Sequence, residues 1–265
     1  LHFADGVRDA VLVFDAAEQP GPEELRLTLR DAHYPLRLTL VYRVHAAFDL
    51  IERHAELHNL GDTPITLERA FSACWHLPPG EGYHLRHLNG RWLDEWQLIR
   101  EPLARGVKSL ESRRLTTSHH HNPWWTLERD ATETHGEVFF GALGWSGSWK
   151  LLAEVSEFSR TRLLIGVNDW DFAWTLARGE TFATPPAYAG YTRAGYGGAS
   201  QALHGFVRAH LPHPEQPRPV LYNSWEATLF NIDLASQQQL ADEAAALGVE
   251  LFVMDDGWFK GRRHA

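Results

Sequence analysis

Residues 25 to 30 read Leu-Arg-Leu-Thr-Leu-Arg, and residues 36 to 44 place Leu36, Leu38, Leu40, Tyr42 and Val44 at every second position. A strict period of two puts each apolar side chain on one face of an extended strand and cannot make a helical stripe. Asp31-Ala32-His33-Tyr34-Pro35 lies between the two runs as a turn, so the pair predicts a hairpin with one buried face. The same rhythm recurs at 48 to 58 and 65 to 76, flanking the turn-rich Leu60-Gly61-Asp62-Thr63-Pro64. It continues through Glu137 to Trp145, Trp149 to Phe158 and Thr161 to Val167. Phe172, Trp174 and Leu176 then alternate up to a turn near Arg178-Gly179. Many short strands punctuated by Gly, Pro, Asp and Asn predict a mainly β fold, a large antiparallel sandwich over residues 1–195.

The period then changes. Leu203, Phe206, Val207 and Leu211 fall at helical spacing, and Pro212, Pro214, Pro217 and Pro219 follow. Prolines at that density stop a helix and stiffen what comes next, so 196–218 reads as a helical, Pro-rich linker. Residues 219–265 are of another kind. Val220-Leu221-Tyr222 opens a buried strand. Asp233, or Ser236 just after it, caps a helix carrying Leu240, Ala244 and Leu247, and Gly248 ends it. Val249 to Met254 is an apolar run broken only by Glu250, the pattern of a strand covered on both faces. Strand, helix, strand is a parallel crossover unit, the beginning of a barrel or doubly wound sheet.

Composition excludes several functions. Of 265 residues, 44% are apolar and 22% charged, which is the range of folded globular chains. Lys plus Arg number 25 against 34 Asp plus Glu, a net charge of −9, so a nucleic-acid partner held through phosphates is not expected. No apolar run approaches the roughly 18 residues of a spanning helix, so no membrane partner is expected either. Cys74 is the only cysteine, which rules out an intrachain disulfide and a cysteine-based metal site, and suits a cytoplasmic setting. The chain opens on Leu1 rather than Met and reads as an excerpt, which a signal peptide could have preceded.

Ligands of parallel α/β folds bind at the carboxyl ends of strands. The first such strand ends in Asn223, Ser224, Trp225 and Glu226, the second in Asp255, Asp256, Gly257 and Trp258. Adjacent carboxylates after a buried run are costly unless something pairs with them. One could cap a helix while the other is solvated. The pair could instead clamp a polyol, with Trp225 as a stacking face, or hold Mg²⁺. Elsewhere, His119-His120-His121 invites a metal reading, but neighbouring side chains diverge, which favours a structural role. Trp92, Trp96, Trp124 and Trp125 are expected in the sandwich core. Asp169 and Asp171 are expected in a polar turn, and Cys74 as a buried small hydrophobe.

Several blocks resemble a known family. Pro219-Val220-Leu221-Tyr222-Asn223-Ser224-Trp225-Glu226-Ala227-Thr228-Leu229-Phe230 resembles the PVLINNWEATYF block of family-36 glycoside hydrolases. Glu250 to Phe259 is similar to their ELFVLDDGWF block, and Trp225 and Asp255 keep the family's interval of 30 residues. Ser118-His119-His120-His121-Asn122-Pro123 resembles SHQHNP, Gly166 to Trp174 resembles GINPFDFSW, and Arg69-Ala70-Phe71-Ser72-Ala73 resembles ERALSA. The blocks are collinear along nearly the whole chain.

The resemblance implies a β-supersandwich, a helical linker and the first two strands of a (β/α)8 barrel, truncated here. It implies an α-galactosidase that removes terminal α-linked galactose from oligosaccharides such as melibiose and raffinose with retention. Rivals on the same fold are an α-N-acetylgalactosaminidase or a galactosyl transferase, and outside enzymes a non-catalytic carbohydrate-binding sandwich. In the family both catalytic aspartates come from later strands, one in a KWDMN-like motif absent here, so no catalytic residue is expected in this chain. Asp255 and Asp256 match the residues that hold galactose hydroxyls, and Trp225 the aromatic lining that pocket. No cofactor or metal is implied. The family's GDYR-type motif completes a neighbouring subunit's pocket, which implies a homo-oligomer, with a tetramer as one arrangement. Asp5-Gly6-Val7-Arg8 matches it poorly, and the chain is expected to begin after it.

Overall fold

The computed structural model describes residues 1–261, and the chain divides into two compact units, Leu1–Val207 and a second from Arg208 onward. In the first unit the strands run β1 (Leu12–Gly21), β2 (Glu24–Asp31), β3 (Leu36–His45), β4 (Leu50–Asn59), β5 (Ile65–Leu67) and β6 (Phe71–His76). They continue as β7 (His84–Arg91), β8 (Asp94–Pro102), β9 (Gly106–Ser112), β10 (Trp124–Glu128), β11 (Val138–Leu143) and β12 (Trp149–Val155). β13 (Thr161–Val167), β14 (Trp174–Leu176), β15 (Thr181–Ala183) and β16 (Ala187–Thr192) complete the series before helix α1 (Gly195–His210).

Ten strands form one sheet in the order β1-β2-β3-β4-β16-β11-β10-β7-β8, with β15 paired to β4. Four form a second, β6-β13-β12-β9, and β14 pairs with β5. Every pairing in this unit's sheets is antiparallel. One core joins the two larger sheets: Leu85, Trp125, Leu127 and Ala187 from the ten-stranded sheet, and Leu110, Trp149, Leu151 and Leu163 from the four-stranded one. All are buried, and face-to-face packing of this kind is a sandwich. Trp125 and Trp149 lead it by size, and each buried indole contributes about 4–6 kcal/mol as an upper bound.

The predicted hairpin is β2–β3, in register from Leu25↔Tyr42 to Leu29↔Leu38. Its apolar face is graded rather than uniformly buried. Leu36 is covered by Phe3, Ile65, Leu67 and Leu176, while Leu25 and Val44 stay exposed where that cluster ends. The tryptophan expectation holds for Trp125 and fails for two others: Trp92 and Trp96 are 78% and 68% exposed. They sit at the tip of the β7–β8 hairpin on the sheet's edge, beyond the reach of the opposing sheet. Helix α1 begins on the first unit, where Tyr196 and Ala199 pack with Leu50, Val138 and Phe140.

The second unit holds β17 (Leu221–Asn223), the short helix α2 (Trp225–Thr228), α3 (Leu234–Ala246) and β18 (Leu251–Val253). β17 and β18 are parallel, with Leu221↔Leu251, Tyr222↔Phe252 and Asn223↔Val253, so the unit is a strand–helix–strand crossover. Asp233 is the cap of α3: its Oδ1 accepts the Ser236 amide at 3.0 Å. Gly248, at φ +87°, follows the helix end. Two expectations need correction. Leu247 is exposed, because it is the C-terminal cap rather than part of the buried stripe, and Gln237 is buried with Ala244 instead. Among the described residues the strands are not covered on both faces: Leu221 and Leu251 are 52% and 42% exposed, because α3 alone cannot cover a two-stranded sheet.

Candidate functional site

The site is built by the parallel register. Pairing Asn223 with Val253 brings both strands to an end at the same edge, and the Ser224 amide donates to the Val253 carbonyl at 3.0 Å, one further step of the ladder. Asp255 therefore emerges beside Asn223. The Asn223 Nδ2 donates to Asp255 Oδ2 at 2.6 Å, and Asn223 Oδ1 accepts the Trp225 amide at 2.8 Å. One amide side chain thus fixes the carboxylate and starts the turn carrying the tryptophan.

The two carboxylates are held back toward their own backbone. Asp255 Oδ1 accepts the Asp256 amide at 2.7 Å, and Asp256 Oδ1 accepts the Gly257 amide at 3.0 Å. Gly257 has φ +105°, which L side chains rarely adopt, so the chain breaks from extended geometry directly after the pair. β18 itself ends at Val253, so the pair lies beyond the strand and is not bound to its alternation between faces. Asp255 and Asp256 are both half-buried, and a carboxylate is the acceptor type that suits a polyol's hydroxyls. Trp225 is half-buried at the start of α2, and its ring meets Phe230 at 4.9 Å with the planes perpendicular. Phe230 thus restrains the indole as a platform. Trp258, next to Gly257, is largely exposed.

The three residues singled out from the sequence, Trp225, Asp255 and Asp256, thus lie on turns that leave one strand edge. Asn223 was visible only as a strand-end residue. Its bridging role depends on the register between two strands 30 residues apart, and the available signal was an amide two residues before the tryptophan.

Other candidates resolve differently. Among the described residues no group of three or more His, Cys, Asp or Glu gathers to hold a metal ion. The His119 and His120 rings meet each other edge to face at 4.5 Å, while His121 turns to His87 at 5.6 Å. Burial, with His87 nearby, pushes the His121 pKa below its ordinary value. Asp169 is a structural ion-pair partner, accepting from Lys150 Nζ at 2.6 Å and Arg69 Nε at 2.7 Å. Cys74 is half-buried, and burial raises its pKa. No helix among the described residues is long and apolar enough to cross a membrane.

Comparison with known proteins bears on both units. The profile described as the glycosyl hydrolase family 36 N-terminal domain matches residues 8–177, and one described as melibiase matches residues 181–265. The chain belongs to glycosyl hydrolase family 36. Among curated members, α-galactosidase AgaA of Geobacillus stearothermophilus is 38% identical over 244 residues, covering 91% of this chain and 33% of AgaA. α-Galactosidase Mel36A of Lactobacillus acidophilus is 33% identical, covering 92% of this chain and 34% of its own length. The family-36 α-galactosidase AgaB of Geobacillus stearothermophilus superposes with a TM-score of 0.92 at 33% identity, over 99% of this chain and 39% of AgaB. A variant of AgaA solved with raffinose has the same score and identity. The chain spans about a third of the length of the curated family-36 relatives it matches.

Proposed function

We propose that this chain is the sandwich and barrel entrance of a retaining α-galactosidase that releases terminal α-linked galactose from oligosaccharides such as raffinose and melibiose. The observation that carries the reading is the strand-end pair Asp255–Asp256, braced by Asn223 and set beside Trp225, in a chain whose relatives are named α-galactosidases over nine-tenths of its length. The domain division goes with it: residues 1–195 as supersandwich, 196–218 as linker and 219–265 as the first two barrel strands.

Retaining glycosidases use two carboxylates about 5–5.5 Å apart, one as nucleophile and one as acid/base. Neither role is given to Asp255 or Asp256. Galactose differs from glucose in its axial 4-hydroxyl, and a galactosidase must read that corner of the ring. Carboxylates accept strong charge-assisted hydrogen bonds from hydroxyls, and Trp225 offers an apolar face to the ring's C–H side. The nucleophile and acid/base are supplied by later strands of the longer protein, and no cofactor takes part. A homo-oligomer is proposed for that protein. So is a cytoplasmic setting, since Cys74, the one cysteine of this chain, calls for no oxidising compartment.

The test is kinetic. In the longer protein, Asp255→Asn and Asp256→Asn each remove one charge-assisted bond worth about 1.5–3 kcal/mol, so kcat/KM for an aryl α-galactoside should fall roughly tenfold to a hundredfold. The swap is nearly isosteric, and an unchanged thermal melt serves as the folding control. Wild-type kcat/KM in both variants would make the pair merely structural.

A further inference from the structure

The first unit carries a second concave feature that the proposed function does not use. Five aromatic side chains, Trp145, Trp170, Phe172, Trp174 and Phe182, line a cavity of about 800 Å³. Asp171 and Phe172 also line an adjoining, more polar cavity of about 530 Å³ that reaches Arg69 and Asp169. Both volumes fall in the range of small-molecule sites.

The walls are built rather than incidental. Trp170 is 60% exposed, yet its loop is pinned on both sides. Asn168, itself 3% exposed, donates to the Ser112 and Trp149 carbonyls at 3.0 and 3.2 Å and accepts the Trp170 amide at 2.9 Å. Asp169 is clamped by Lys150 and Arg69, and the Arg113 guanidinium lies 4.0 Å from the Trp170 ring centre. Trp145 is tied through its Nε1 to the Ser148 carbonyl at 3.2 Å, across a turn where a Cβ on Gly147 would lie 2.7 Å from that nitrogen. Trp174 packs on Phe182 at 5.5 Å. Between these rings, Asp171 sits in the left-handed region at φ 53°, exposed and with no hydrogen-bond or ion-pair partner among the described residues. Strained backbone presenting an unpaired carboxylate amid fixed, exposed indoles is a pattern of binding sites.

We infer that this cavity is a binding site for a neutral oligosaccharide, with pyranose faces laid on Trp145, Trp170 and Trp174 and hydroxyls donating to Asp171. The chemistry selects the ligand class. Flat indole faces suit the C–H faces of sugar rings, and a free carboxylate suits their hydroxyls. A hydrocarbon ligand would leave that carboxylate unsatisfied as it became buried. Pre-fixed rings reduce the ordering cost that makes sugar binding weak. The inference takes only the sugar class from the proposed function, and none of its residues belongs to the Asp255–Asp256 edge.

Titrating raffinose into the 265-residue chain and following tryptophan fluorescence tests it. A saturable change is expected. It should weaken by about tenfold or more in Trp170→Ala and in the near-isosteric Asp171→Asn, and persist in Asp255→Asn. Thermal melts of the variants serve as the folding control, with Trp170→Phe as a milder change that should keep partial binding. No saturable change in the unaltered chain overturns the inference. So does binding that Asp171→Asn and Trp170→Phe both leave at wild-type strength. Binding abolished by Asp255→Asn but kept in Trp170→Ala overturns it too, while leaving the galactose-clamp reading intact.

Discussion

At the scale of single residues, the proposed site depends on two residues that touch no sugar in the proposed mechanism, Asn223 and Gly257. Asn223 holds Asp255 at 2.6 Å and the Trp225 amide at 2.8 Å, so Asn223→Ala releases both at once. In the longer protein it should lower kcat/KM for an α-galactoside about tenfold, with the melt little changed, because the bond it removes is worth roughly 1.5 kcal/mol or more. Unchanged kinetics would show that Asp255 needs no brace. Gly257→Ala forces a Cβ to φ +105°, 3.2 Å from the Phe230 Cα, and should cost about 1–3 kcal/mol. Faster amide exchange across 251–257 in that variant is the expected signature. The carboxylate pair and the tryptophan could be singled out as candidates in the sequence because their chemistry is conspicuous there. Asn223 was not, because an amide acquires its role only from the partner that a parallel register brings beside it.

At the scale of elements, the chain was readable where local pattern and tertiary fate agree. The β2–β3 hairpin follows from alternation, and α3 from a capping Asp233 and a closing Gly248. Asp233→Ala should cost about 1 kcal/mol of helix stability, read as faster exchange of the amides at 234–240. Strands β1, β7, β8, β9, β10, β15 and β16 were not readable. β1 and β8 lie at the two edges of the ten-stranded sheet and are exposed along most of their length, apolar residues such as Phe14 and Leu98 included, so burial imposes no alternation on them. β16, Ala-Tyr-Ala-Gly-Tyr-Thr, has little apolar alternation, yet it occupies the middle of the sheet between β4 and β11. Short side chains suit that crowded place, and no sequence period reports it.

The sandwich carries a titration at the Glu128–Arg100 pair. Glu128, fully buried on β10, accepts from Arg100 at 2.8 Å and from the Ala131 amide at 2.9 Å. Burial pushes its pKa up, but these bonds pull it below the ordinary carboxylate value. A depressed carboxylate stabilises the fold above its unfolded pKa, and that contribution is lost as pH falls through the folded value. The depressed His121 acts in the same direction from about pH 6.5 downward, since the unfolded chain takes up that proton first. The melting temperature should therefore fall steadily between neutral and acid pH, and Glu128→Gln should flatten the acid end of the profile. A melt independent of pH would contradict this.

At the scale of the whole molecule, the sandwich holds a core spanning two sheets, whereas the second unit leaves Leu221 and Leu251 half in solvent. In the 265-residue chain, amides of β18 should exchange much faster than those of β12 and β13, and this chain should show no α-galactosidase turnover above background, since no acid/base pair is assigned to it. In the proposed function the Asp255–Asp256 edge recognises galactose. The most direct measurement is galactose release from raffinose by the longer protein, wild type against Asp255→Asn and Asp256→Asn, at matched thermal stability. Turnover is expected from the wild type, with a loss of roughly tenfold to a hundredfold in kcat/KM for each variant. No galactose release by the folded wild type, or full activity in both variants, would contradict it.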